Sequence, residues 1–170
     1  MGIAQTQAVR IVTAVSLVLS LTACHRIQAP ASIVHMADPA TAGQLIQGFY
    51  AVEGTGENSW RWVAPEVALA LGPPRVAKNG ARLRIRLYFP ETQIDKVGPI
   101  RLTAFVDGEA LAPQTYAKAG NYEFVRDIPQ CLLDSNVVPV RLSFYPYAPK
   151  SDTEGRILAA VMSMAALEPK

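Results

Sequence analysis

Histidine is almost missing from this sequence: of its 170 residues only His25 and His35 are histidines, and both stand near the amino terminus. A Ser/His/Asp or Cys/His catalytic set within the remaining chain is therefore excluded. Cysteine is equally scarce, with Cys24 and Cys131 alone, so the ligands of a zinc site are lacking. Charge of one sign is lacking too. Sixteen Lys and Arg against fourteen Asp and Glu leave no basic excess of the kind a nucleic-acid surface carries. The stretch "EGTGENS" has Gly54 and Gly56 but Ser59 where a dinucleotide loop needs its third glycine, and no Lys-Ser/Thr pair follows for a phosphate loop. No cofactor and no metal are expected.

A long apolar run is absent as well, which makes the short one at the amino terminus informative. Ile11 to Ala23 carries no charge, yet it falls short of the roughly 20 apolar residues needed to cross a bilayer. With Arg10 before it and small residues at its exit, it has the layout of a secretory signal peptide. The sequence Leu21-Thr22-Ala23-Cys24 resembles the lipobox of bacterial lipoproteins. That resemblance implies cleavage before Cys24, a diacylglycerol on its sulfur and a further acyl chain on the new amino terminus. Two or more chains hold a protein firmly to a membrane where one holds it marginally. His25 in place of Asp after the cysteine implies delivery to the outer membrane of the cell envelope. The expected organisation is a signal peptide over 1–23, a lipidated tether over 24–40, rich in proline and small residues, and one domain over 41–170. Asp38-Pro39 is expected to cap and start a helical turn. With Cys24 lipidated, Cys131 has no partner thiol, and its apolar setting predicts a buried, packing role.

The domain reads mainly as strands. In "ARLRIRLYF", Leu83, Ile85, Leu87 and Phe89 alternate with Arg82, Arg84, Arg86 and Tyr88, the pattern of a strand with one face in a core. "EVALAL" and "VVPVRLSFY" alternate likewise, and Pro139 within the latter predicts an edge or bulge. "ETQIDKVG" predicts a short helix or turn, and Asp107-Gly108 a hairpin. The closing "GRILAAVMSMAAL" is read as a strand returning to the sheet. About seven short strands with no long helix between them predict a single antiparallel β-sandwich, jelly-roll or immunoglobulin-like.

Three groups of residues bear on function. Trp60 and Trp62 in "SWRWV" share one side of a strand, with Arg61 opposite; such a pair either fills a core or forms a platform for sugar rings. Arg82, Arg84 and Arg86 form a row that suits anionic glycans or is simply a solvated face. Glu53, Glu57, Glu66, Asp95 and Asp127 offer the carboxylates a glycosidase requires, although acidic residues beside turns are ordinarily solvated or capping.

The segments "GFYAVEGTGENSWRWVAPEVALAL", "ARLRIRLYFPE", "VGPIRLTAFVDGE" and "GRILAAVMS" together resemble β-sandwich modules of bacterial proteins, including ones attached to sugar-transfer or methyl-transfer enzymes. The likeness spans about residues 44–165 and carries no functional residue with it. The leading expectation is a non-catalytic, lipid-anchored envelope protein that binds or organises glycan, such as an envelope polysaccharide, or another envelope component, with Trp60, Trp62, Arg82, Arg84 and Arg86 as candidate glycan contacts. An assembly scaffold that docks another envelope protein is the alternative, and a small hydrolase the third. Replacing the anchor residue, Cys24→Ser, is expected to abolish incorporation of labelled fatty acid and to release the protein from the membrane fraction or leave the precursor uncleaved. Undiminished labelling would contradict the lipid anchor.

Overall fold

The computed structural model describes residues 29–75, 79–151 and 153–170, and for Glu57 the backbone alone. Cys24, the signal peptide and the first part of the tether lie outside the described residues. In chain order the strands are β1 (Ile33–His35), β2 (Leu45–Glu53), β3 (Trp60–Leu71), β4 (Ala81–Phe89), β5 (Ile100–Val106), β6 (Glu109–Ala110), β7 (Gln114–Tyr116), β8 (Gly120–Ile128), β9 (Val138–Tyr145) and β10 (Ala160–Pro169). One helix, α1 (Glu91–Val97), follows β4. The ladder runs β6-β5-β9-β3-β10-β4-β8, with β1 on β10, β2 on β3 and β7 on β5, and every pairing is antiparallel.

Strand β3 joins the two layers. Along one side it pairs with β2; along the other its first part, Arg61–Val63, pairs with β10 and its second, Glu66–Leu71, with β9. Ala64 and Pro65 fall in the gap between those registers, where the missing proline amide leaves no ladder bond unmade. The continuous sheet therefore folds into a sandwich, one layer built on β10, β4 and β8 and the other on β9 and β5. Their inner faces meet in a single core. It takes Val63, Val67, Leu69 and Leu71 from β3, Leu83, Ile85, Leu87 and Phe89 from β4, Leu102 and Ala104 from β5, and Val140, Leu142 and Phe144 from β9.

The alternation in the sequence is thus realised strand by strand, and the final segment is a strand, as expected. A shift of register between Met162 and Met164 rephases β10, so that Met162, Ala165 and Leu167 all reach the core. This bulge explains the mixed periodicity of "AAVMSMAAL". Asp38 caps a 3-10 turn over Pro39–Gln44, its Oδ1 accepting from the amide of Ala40 at 2.8 Å.

Three expectations are corrected. The stretch from Pro30 onward is part of the fold rather than tether: β1 pairs with β10, Val34 and Met36 are fully buried, and the Gln44 amide accepts from the N–H of Ala31 and donates to its carbonyl, at 2.9 and 3.0 Å. Gly72 lets this segment in, because a Cβ there would overlap the carbonyl oxygen of Pro30. Pro139 lies in neither an edge nor a bulge; it stands between β3 and β5, opposite Ala70. Its carbonyl accepts from Asp107, just past the last paired residue of β5, so its nitrogen faces the turn, where no ladder partner is lost. Cys131 is exposed, not buried, because its 3-10 turn (Gln130–Leu132) sends Leu132 and Leu133 inward instead.

Two aspartate substitutions test the assignment of faces. Ile85→Asp places an unpaired carboxylate at a fully buried site and is expected to cost several kcal/mol or unfold the domain. Ile46→Asp, on a residue 63% exposed, is expected to change stability by about 0.5 kcal/mol or less. Equal losses in a denaturation experiment would contradict the assignment.

Candidate functional site: an aromatic cleft on the outer face

Residues opposite one another on paired strands point to the same face of a sheet. Trp62 lies opposite Val161, Val161 opposite Tyr88 and Tyr88 opposite Asn121. A single row therefore crosses β3, β10, β4 and β8 on the face turned away from the core. Trp60 stands two residues from Trp62 on the same strand and face, roughly 7 Å along it, while Tyr88 lies two strands across, roughly 10 Å away. Between them is a cleft of about 700 Å³, within the range of small-ligand sites. Val161 is its apolar floor, and Glu53, Asn58, Ser59, Arg86, Asn121, Glu123 and Ser163 bring polar groups to its walls.

Local chemistry holds the rings in place. Gly54 has φ +83°, and a Cβ on it would overlap the carbonyl oxygen of Asn58 and come within 2.7 Å of Cζ3 of Trp60, so the bare glycine is what admits the indole. Ser59 closes the same turn by donating its hydroxyl to the carbonyl of Gly56 at 2.7 Å. Neither indole joins the interior cluster; both are half-buried on the outer face. Tyr88 is 40% exposed.

Of the candidate residues, Trp60, Trp62 and Arg86 come together in the cleft. Arg82 and Arg84 lie further back along β4 and are already paired: Arg82 with Asp127 at 3.5 Å, and Arg84 with Glu168 at 3.1 Å and with Glu123. Arg86 shares Glu123 at 3.1 Å. The arginine row is consequently not a free anion-binding strip, because β8 and β10 supply carboxylates at matching register.

Among the lining residues not singled out from the sequence are Tyr88, Asn121, Glu123 and Ser163. Tyr88 alone had a visible signal, an aromatic ring interrupting a row of arginines. The other three become neighbours only through pairing across the sheet.

The carboxylates considered for hydrolysis are dispersed. Glu66 accepts from Ser143 at 2.5 Å, Asp127 pairs with Lys170 at 2.8 Å, and Glu53 pairs with Arg156 at 2.7 Å. Glu123 lines the cleft, but the hydrogen bond from Arg86, with Arg84 adding to it, holds its carboxyl below the ordinary carboxylate range. A glycosidase needs an acid raised above that range. Among the described residues no cluster of His, Cys, Asp and Glu could hold a metal ion.

One wall of the cleft is tied to residues 154–157. The Tyr50 hydroxyl donates to the carbonyl of Ile157 at 2.9 Å and accepts from its amide at 3.1 Å. Arg156 reaches both Glu53 and Glu154, at 2.7 and 2.8 Å.

No protein family matches this sequence, and no curated protein matches it either. Solved structures do match in shape. A family 35 carbohydrate-binding module from Clostridium thermocellum has a TM-score of 0.47 and 11% identity, over 80% of this chain and 97% of that one. A family 6 carbohydrate-binding module has a TM-score of 0.47 and 9% identity, over 83% and 95%. A family GH115 4-O-methyl-α-glucuronidase with specificity for decorated arabinogalactans has a TM-score of 0.51 and 10% identity, over 83% of this chain but only 18% of that enzyme. The fold is an antiparallel β-sandwich, and at such identities the likeness is one of fold.

Arg156 holds the Glu154 carboxyl down to about 2 from 4.5, through hydrogen bonds from its side chain and its amide. A carboxyl lowered on folding stabilises the folded state above its unfolded value, and that contribution fades as pH falls toward the folded value. Glu154→Gln should therefore melt below the wild type at pH 5 and above, with the gap closing between about 4.5 and 2. A gap independent of pH in thermal denaturation would contradict this pairing.

Proposed function

We propose that this protein is a lipid-anchored, non-catalytic β-sandwich of the bacterial cell envelope that binds glycan in the cleft of Trp60, Trp62 and Tyr88. One observation carries the reading: three aromatic rings from two strands surround a hollow on the outer face, where core packing does not account for them. Aromatic rings combine a large apolar face with a polar tip, which complements a sugar ring with its C–H faces and hydroxyl rim. Asn58, Asn121 and Ser163 add neutral groups that both donate and accept, and Ser59, whose proton is given to Gly56, adds an acceptor. The depressed carboxyl of Glu123 supports binding over hydrolysis.

The scaffold alternative would be favoured by a long open strand edge. The free edge of β2 breaks register at three places along β3, which blunts it for strand addition, whereas β8 ends the ladder in unbroken register and is the edge such a partner would use. A diacylglycerol on Cys24 would keep the domain at the outer membrane, within reach of envelope polysaccharide.

Affinity gels carrying xylan, β-glucan or peptidoglycan test the reading. The wild type should be retained on at least one, Trp62→Ala and Tyr88→Ala should remain folded and lose retention, and Arg82→Ala, outside the cleft, should keep it. Passage of the wild type through every gel would contradict glycan binding.

A further inference from the structure

We infer that the groove does not end at Trp62: a second cavity on its far side extends the first, and the two together take a neutral, hydroxyl-rich oligosaccharide longer than the first cavity holds. This rests on the glycan reading above and specifies its ligand.

The second cavity measures about 310 Å³ and lies between α1 and the residues 148–151 and 154–158, and Trp62 stands in the wall of both. The chain leads from one cavity to the other. Arg86, Tyr88 and Pro90 line the first cavity, and the chain then enters α1, whose Thr92 and Gln93 line the second. The indole of Trp62 is thus at the junction of two hollows on one path.

The far wall is fastened on several sides. Ala148 and Leu158 exchange backbone hydrogen bonds of 3.0 and 3.2 Å, and Tyr50 and Arg156 bind the same segment to β2. Gln93, only 5% exposed, ties α1 to it by donating its Nε2 to the carbonyls of Leu158 and Ala159 at 3.3 and 2.5 Å. Those two bonds fix which end of the amide is nitrogen, and Oε1 is left without a partner.

Charge decides the class of ligand. Glu53 and Glu123 with Arg86 line the first cavity, and Glu154 with Lys96 and Arg156 line the second. Three carboxylates thus face three cations along the groove, and a polymer charged along its length gains no net attraction from it.

Calorimetric titration of the full chain with cello-, xylo- and chito-oligosaccharides of two to six sugars tests this. Affinity should rise about tenfold or more from the shortest to the longest. Thr92→Trp, which fills the second cavity from the exposed side of α1, should keep the affinity for the disaccharide and lose the rise; Ser151→Trp, from the opposite wall, should do the same. An affinity flat with length, or a rise that survives both substitutions, would overturn the extended groove while leaving the glycan reading intact. Absence of binding at every length would overturn that reading itself, and the groove with it.

Discussion

Two indoles can occupy the outer face of β3 only if the residue between them faces inward, and that residue is Arg61. It lies opposite Met162, a core side chain. A guanidinium turned toward a core is costly unless its donors are met. Nε reaches the carbonyl of Met36 and Nη1 that of Tyr50, both at 2.6 Å, so the residue just after β1 and one within β2 supply the acceptors. Tyr50 in turn holds Ile157, next to Arg156, which grips Glu53 on the cleft wall. The exposure of the tryptophans, the docking of the amino-terminal segment and the fastening of the cleft wall thus depend on one set of hydrogen bonds.

The outer face is arranged so that its charges cancel locally. Glu168, Arg84, Glu123 and Arg86 form a connected series across β10, β4 and β8. Exposed pairs of this kind add little to stability. For the proposed glycan site their consequence is that they leave the aromatic rings, amides and hydroxyls as the groups with unspent bonding capacity. A surface that began as a row of arginines becomes one suited to a neutral ligand.

Much of the fold was legible because strands that bury one face record it as alternation, and β4 and β9 do so without a break. What the sequence hid was cross-strand register. Glu123 and Arg86 are separated by 37 positions and Trp62 and Tyr88 by two strands, and no local pattern announces that they meet. The tether was set too long because Ile33-Val34-His35 is too short to show a period; its strand character comes from β10, which supplies the ladder. Cys131 was misplaced because apolar neighbours do not say which of three turn residues points inward. The tryptophans were recognised as a same-side pair, but whether that side was core or surface depended on Val63 and Val67 facing the interior.

The central claim is that Trp60 and Trp62 flank the cleft and hold a sugar chain in it. They are the two tryptophans of the sequence, so their indole N–H signals can be followed individually by NMR as an oligosaccharide is added. The account predicts saturable shifts of both indole resonances at the concentrations that give binding heat, together with backbone shifts at Tyr88 and Asn121. Binding accompanied by unmoved indole signals, with shifts gathered on another face of the sandwich, would contradict it.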